Sequence, residues 1–273
     1  MKSKELFPAV FSRHASAYAK RLDQIMSRGE ARGRQRVIDL VEARPGMHVV
    51  DLACGPGTLS RRLAALVAPG GEVVGVDLAP GMIELARSAG ISNARFEVMD
   101  IERLAFPDES FDAAVCGHGL QFAPDLGAAL REARRVIRPG AKFAASVPVT
   151  PVKDSVSAML DPVINRWLPP PISAVDQGST RALVADADAF RKAALEAGFA
   201  TAEVEVVEEV VRWQSAEQLV GMCTSWWDCA ARLEGLDAER RRAFAEDAVE
   251  TLKDLHPGEI ETTGRNHVLS AKR

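Results

Sequence analysis

Val49-Val-Asp-Leu-Ala-Cys-Gly-Pro-Gly-Thr58 decides how the rest of the chain reads. The apolar residues Met47, Val49 and Val50 lead into an acid, Asp51. Two residues without side-chain bulk, Gly55 and Gly57, follow before a helical pattern begins. A buried strand that ends in a Gly-x-Gly turn and opens a helix brings backbone close to a ligand, because no Cβ holds the ligand off. A second apolar strand, Glu72-Val-Val-Gly-Val-Asp77, ends in another acid about twenty residues beyond Gly57. An acid at that distance is placed to hold ribose hydroxyls.

The spacing is Gly55-x-Gly57-x-x-Ser60, so the third glycine of the dinucleotide fingerprint is missing. Asp51 would repel a pyrophosphate and attract a ligand carrying an ammonium and a sulfonium. That charge pattern points away from NAD and toward S-adenosylmethionine. Further acids close later strands: Met99-Asp100-Ile101 follows the third, and Phe111-Asp-Ala-Ala-Val-Cys116 forms the fourth before Arg138-Pro-Gly-Ala-Lys142. With Asp51–Gly57 and Val76-Asp77-Leu78 plus Met82, these stretches resemble the successive motifs of class I S-adenosylmethionine-dependent methyltransferases. The likeness is nearest to the ubiquinone/menaquinone C-methyltransferase branch. It is strong over residues 46–150, weaker over 6–45 and 186–273, and not specific over 151–180.

Around these motifs, strands are expected at 47–53, 72–77, 94–98, 111–116 and 141–149, and helices at 57–67, 80–88 and 124–137. This alternation with apolar strands implies a parallel sheet covered on both faces. Residues 6–43 read as amphipathic helices through Phe7, Val10, Phe11, Ala15, Tyr18, Leu22, Ile25 and Met26. Beyond the sheet motifs come prolines (Pro148, Pro151, Pro162, Pro169–Pro171), with a helix expected at 154–167 followed by an extended loop. Asp186 is placed to cap a helix over 187–197. Thr201–Trp213 alternates as a strand, 216–234 and 237–254 read as helices with Pro257-Gly258 ending the second, and 266–272 reads as a last strand. The resemblance implies an α/β, Rossmann-like, doubly wound and mostly parallel seven-stranded sheet with an antiparallel edge hairpin and helical lid insertions. The expected organisation is one domain over 1–273. It divides into an N-terminal helical lid (1–45), a cofactor-binding core (46–150) and variable substrate-lid segments (151–185 and 214–258).

Composition narrows the function classes. At 273 residues and 47% hydrophobic content, the chain is long and apolar enough for a full core. A net charge of −4 argues against sequence-independent nucleic-acid binding, and the basic clusters at Arg28–Arg36 and Arg240–Arg242 read as solvated faces. Four cysteines (Cys54, Cys116, Cys223, Cys229) form no Cys-x-x-Cys pair and stand near no histidine at zinc spacing, so no metal is expected. Reduced thiols, no span-length apolar run and no signal-peptide pattern at Met1-Lys-Ser-Lys-Glu set the expectation of a cytoplasmic protein without a membrane span.

The resemblance assigns cofactor roles to matching positions. Gly55, Pro56 and Gly57 form the loop along the methionine part, and Asp51 orients that loop and attracts the ammonium group. Asp77 accepts from the ribose hydroxyls, beside Leu78. Met82 faces adenine; Asp100 and the Ile101 amide meet its edge. Gly117 contacts the amino group, and Tyr18 closes over the methionine carboxylate, although Ala19 replaces an aspartate often found next to that tyrosine. From the residues themselves, His118 between Gly117 and Gly119 has an ordinary pKa suited to taking a proton near neutrality, or else shapes the loop. Gln121 and His14 are candidates for holding the acceptor or for local packing. Met222, Trp167, Trp226 and Trp227 offer an apolar wall for a planar or greasy small molecule, or a helical core. The function expected is methyl transfer to the carbon, oxygen or nitrogen of a small hydrophobic acceptor. Two other readings stand beside it: an NAD(P)-dependent oxidoreductase, disfavoured by Asp51 and the absent third glycine, and a cofactor-binding methyltransferase-like protein that assists a non-methylating reaction.

Overall fold

The computed structural model describes residues 2–149, 154–171, 180–256 and 258–273. Pro151 and Pro257, the stretch 172–179 of the expected loop, and the side chain of Trp227 lie outside what is described. Three helices come first: α1 (Ser3–Arg13), α2 (Ala15–Ser27) and α3 (Arg32–Leu40). Then β1 (His48–Leu52), α4 (Thr58–Val67), β2 (Glu72–Asp77), α5 (Pro80–Ser88), β3 (Ala94–Val98) and β4 (Phe111–Gly117) alternate. A 3₁₀ turn (Leu120–Phe122), α6 (Leu126–Val136), β5 (Ile137–Val149), α7 (Val156–Trp167), α8 (Thr180–Ala185) and α9 (Ala187–Glu196) follow. The chain continues through β6 (Thr201–Trp213), α10 (Ala216–Cys223), α11 (Trp227–Glu234), α12 (Ala238–Leu255) and β7 (Ile260–Lys272).

The seven strands form one sheet in the order β3-β2-β1-β4-β5-β7-β6. The pairs β1–β2, β1–β4, β2–β3 and β4–β5 are parallel, and only β7 runs against its neighbours. Side chains alternate between two apolar layers, as the pleat requires. Val49, Ala113 and Val115 pack with Val37, Ile38, Leu63 and Val67 under α3 and α4. Val50, Leu52, Ala114 and Cys116 pack with Leu126, Leu130, Phe190 and Ala194 under α6 and α9. Asp186 caps α9, accepting from the Ala189 amide at 2.9 Å.

Four elements depart from the sequence expectation. The loop expected before Asp186 contains α8, whose Val184 is buried against the main core. The helix expected over 216–234 breaks at Thr224–Trp226. There the Thr224 and Ser225 hydroxyls donate to the carbonyls of Gly221 and Met222, and such back-bonding competes with helix propagation. The last strand begins at Ile260 rather than Asn266, because Val210–Trp213 of β6 pair with Ile260–Thr263. The fifth strand begins at Ile137 rather than residue 141, since Ile137 pairs with Phe111 across a register shift.

The extra length of β6 and β7 builds a second core. Beyond the main sheet, Val211, Trp213 and Ile260 pack with Leu160, Val163, Leu219, Met222, Phe244 and Leu252 of α7, α10 and α12. Trp213 is 2% exposed, and its indole N–H donates to the Thr262 hydroxyl at 2.8 Å, so its polar atom is satisfied inside the apolar layer. Trp213→Ala should therefore lower stability by about 3–5 kcal/mol through lost burial and a cavity. In urea denaturation followed by hydrogen exchange, α10 and α12 should lose protection before β1 and β4. Equal protection loss across both regions would contradict a separate outer core.

Candidate functional site

The carboxyl ends of β1, β2, β3 and β4 border one crevice, the expected position for a ligand in an open sheet. The crevice has two connected halves that share Phe11, Ala53, Asp77 and Phe122. The first is lined by Tyr18, Arg34, Asp51, Gly55, Pro56, Asp77, Met82, Gly117 and His118 among others. The second is lined by Lys4, Phe7, Leu78, Met99, Asp100, Ile101 and Glu102 among others.

The glycine loop is held by charge. Asp77, at the end of β2, accepts from the Gly55 amide at 2.9 Å and the Ala79 amide at 2.8 Å, joining the loop after β1 to the start of α5. Gly55 has φ +54 and a Cβ there would meet nothing within 4 Å, so it faces open cleft. Gly57, at φ +79, is the N-cap of α4. A Cβ on it would stand 3.1 Å from the Phe96 ring, so it serves the turn rather than the lining. Burial pushes the Asp77 carboxyl up, and the amides of Ala79, Gly55 and Leu78 oppose the shift.

Asp51 is a buried and incompletely partnered charge in the cleft. It is 1% exposed; its Oδ2 accepts from the Ser60 hydroxyl at 2.6 Å and its Oδ1 has no hydrogen-bond partner. Burial, assisted by the charge of Asp77 and opposed by Ser60, pushes its pKa up to about 7. A buried carboxylate oxygen without a partner marks a place for a cation. The orphaned oxygen, the open cradle at Gly55 and the paired acids of the second half together fit a ligand with an ammonium group and a nucleoside, and do not fit a pyrophosphate.

The other candidates divide. Tyr18 lies over the cleft, its hydroxyl accepting from Arg34 Nη2 at 3.2 Å and its ring edge-on to Phe11. Asp100 accepts from Lys4 Nζ at 2.6 Å, and Lys4 also reaches Glu102. His14 lines neither half; its Nε2 lies 2.8 Å from Glu234 on α11, a carboxylate that also accepts two bonds from Arg13. Gln121 is buried and donates to the His118 carbonyl at 2.8 Å, bracing the loop. Trp226 is the N-cap of α11, is 38% exposed, and lines neither half. Arg34 and Lys4 went unnoticed in sequence. Arg34 belongs to the cluster read as a solvated face, yet α3 lies across the sheet and turns this arginine into the cleft, where it is the one cation among the described lining residues of the first half. No periodic signal separates it from its neighbours Arg32 and Arg36.

Comparison with known proteins agrees with this geometry. The methyltransferase domain family matches residues 50–145. The 2-phytyl-1,4-naphtoquinone methyltransferase of Synechococcus elongatus is 31% identical over 170 residues, 60% of this chain and 73% of that enzyme. This chain belongs to the class I S-adenosylmethionine-dependent methyltransferases. A ubiquinone/menaquinone biosynthesis C-methyltransferase, UbiE of Shewanella putrefaciens, is 36% identical over 148 residues, 52% of this chain and 59% of that protein. Matched segments span from 38% to 73% of the relatives' own lengths. The YcgJ protein of Bacillus subtilis shares the fold, with a TM-score of 0.53, 19% identity and coverage of 89% of this chain and 98% of that one. S-adenosylmethionine is accordingly the cofactor of this methyltransferase, and the oxidoreductase reading is set aside.

Two outcomes follow for the cofactor site. An ammonium beside Asp51 favours its carboxylate, so binding below pH ~7 must expel a proton, and affinity for S-adenosylhomocysteine should rise as pH rises from about 6 to about 7.5, by at most tenfold per unit. Calorimetry in buffers of different ionisation enthalpy reads that proton; Asp51→Asn should abolish it. The folded-state pKa of Asp51 lies above its unfolded value, so its linkage to stability is favourable at low pH and is lost as pH rises through about 7. The Asn variant should therefore be no less stable than wild type at about pH 8. Separately, Asp77→Ala removes charge-assisted bonds of about 1.5–3 kcal/mol each and should weaken S-adenosylhomocysteine binding by at least tenfold; unchanged affinity would remove Asp77 from the site.

Proposed function

We propose that this methyltransferase methylates a small, fairly hydrophobic acceptor at carbon, oxygen or nitrogen, with His118 taking the acceptor's proton where one must leave. The observation that carries the reading is the position of His118. It lines the same half of the cleft as Asp51, Gly55 and Gly117, and its Nε2 is buried without a hydrogen-bond partner. Relatives named for naphthoquinone and ubiquinone/menaquinone methylation support a planar, apolar acceptor.

S-adenosylmethionine supplies an electrophilic methyl group on a cationic sulfur, which leaves with the bonding pair. The chain positions, desolvates and accepts a proton. Phe122 meets Phe7 and Phe11 edge to face, with centroids 5.0 and 5.3 Å apart, and this aromatic trio makes an apolar junction of the two halves. His118 holds φ +62, a conformation costing about 1–2 kcal/mol outside glycine, and is fixed there by its amide donating to the Ser146 carbonyl at 2.8 Å. Burial, then the charge of Arg34, pushes its pKa well below the usual histidine value. The imidazole is thereby neutral throughout the physiological range, and a weaker base than a free histidine. The helices of residues 1–45 serve as a lid over the core at 46–150, with Lys4, Phe7, Phe11, Tyr18 and Arg34 lining the cleft. The four free thiols support a cytoplasmic location.

The test uses labelled S-adenosylmethionine with quinol, phenol and amine acceptors. His118→Asn should lower turnover about 10²-fold for acceptors that must lose a proton, with S-adenosylhomocysteine affinity unchanged. Wild-type turnover should be flat above about pH 6.5 and fall only on the acid side, because the folded imidazole resists protonation. Stability should fall over that same acid range, where the unfolded chain binds a proton that the folded site refuses. A His118→Asn enzyme with wild-type turnover would remove the base and leave catalysis to positioning alone.

A further inference from the structure

Arg34 differs from the other arginines of its cluster in having no acidic partner inside a cleft. Arg28 pairs with Glu30, Arg36 pairs with Glu205, and Arg32 is exposed. Arg34 is half-buried, and no carboxylate among the described residues pairs with it. Its bond runs from Nη2 to the neutral hydroxyl of Tyr18 at 3.2 Å. A guanidinium carries five N–H donors, so most of its capacity is unused. Its stem lies over the end of β4, where a Cβ on Gly117 would stand 3.7 Å from Arg34 Cγ.

The opposite charge lines the same half of the cleft. Asp51 is 1% exposed, and its Oδ1 has no partner. The two charges do not neutralise each other: Asp51 accepts from Ser60, and Arg34 donates to Tyr18. Strand register keeps them apart. Asp51 lies opposite Val115, and Gly117, under the Arg34 stem, is two residues further along β4. At a strand rise of ~3.3 Å per residue, the stem sits about 7 Å beyond Asp51 along the strand direction. A bare anionic oxygen and an unpaired cation, staggered in this way beside the open backbone of Gly55, are complementary to a small zwitterion. The cofactor carries one such group, its α-amino-acid end.

We infer that Arg34 holds the α-carboxylate of S-adenosylmethionine while Asp51 holds its ammonium, so that the enzyme recognises the amino-acid end of its cofactor as a dipole. Tyr18 completes the arrangement. Its oxygen accepts from Arg34, which leaves its own hydrogen to donate. A phenol alone brings no charge to a carboxylate, whereas a guanidinium matches both of its oxygens. Arg34 is also a cation in a cleft that takes a sulfonium, and two cations repel. The carboxylate removes that conflict, because it neutralises the guanidinium. Arg34 is therefore a specificity-determining residue: an adenosyl ligand without the carboxylate meets an uncompensated charge there. None of this depends on His118 acting as a base.

The test is calorimetric titration with S-adenosylhomocysteine, its decarboxylated analogue, and 5′-methylthioadenosine, which lacks the whole amino-acid end. Wild type should prefer S-adenosylhomocysteine to the decarboxylated analogue by about tenfold or more, the worth of one charge-assisted bond. Arg34→Met keeps an apolar stem over Gly117 and removes the charge. It should weaken S-adenosylhomocysteine by about tenfold or more, and leave 5′-methylthioadenosine within about twofold of wild type. The preference for the carboxylate should vanish with it, and Arg34→Gln should give the same pattern. An equal loss for all the ligands would make Arg34 a structural residue and overturn the assignment. Unchanged S-adenosylhomocysteine affinity with a raised acceptor KM would give Arg34 to the acceptor and overturn it as well. Where neither variant folds, the wild type decides: equal affinity for S-adenosylhomocysteine and its decarboxylated analogue overturns the inference. These are binding measurements without turnover, so loss of the base role of His118 and loss of this assignment are separate results.

Discussion

One carboxylate, Asp77, holds the ligand crevice in shape. Its two oxygens take the backbone amides of Gly55 and Ala79, which belong to loops after different strands. A parallel sheet sends every strand end to the same edge, and those ends carry backbone donors that no ladder satisfies. Asp77 satisfies two of them and keeps lone pairs for a ligand. The glycine loop stays open, with Gly55 at φ +54, because a charge-assisted bond fixes its amide.

The buried charge on the neighbouring strand has the opposite character. Asp51 has one oxygen satisfied by Ser60 and one left bare, so the ligand-free site is destabilised in the form that a cation would complete. Stability and binding are therefore opposed at this residue. The opposition is a reason for an acid to persist in a place where an apolar residue would fold better. His118 follows the same logic with the other sign: burial and the charge of Arg34 keep it uncharged.

The cover over the crevice is held by weaker forces. α1 crosses it with Lys4 bonded to Asp100 and Glu102 at one end and Arg13 and His14 bonded to Glu234 at the other. Partly exposed ion pairs of this kind contribute about 0–1 kcal/mol each and are screened by salt. The apolar contacts of Leu6, Phe7 and Val10 with Ala231 add to them.

The strands from Val49 to Val149, the acids at their ends and the helices between them were legible in sequence, because burial on both faces imposes apolar runs and the turns need glycine. The Asp186 cap was legible for a similar reason: its bond is local, three residues away. What local pattern could not carry was any contact set by two elements meeting. Arg34 looked like its exposed neighbours until α3 was laid across the sheet. His14 looked like a site residue until α1 was seen to end beside Glu234. The break at Thr224–Trp226 and the early start of β7 depend on hydroxyl bonds and on strand pairing that no periodicity encodes. Asn266 is the extreme case: it meets Gly33 of α3, far back in the chain, only because β7 is inserted antiparallel between β5 and β6. Sequence determined the crevice and its acids through local burial and turn chemistry; the tertiary structure alone decided which distant side chains would face each other across it.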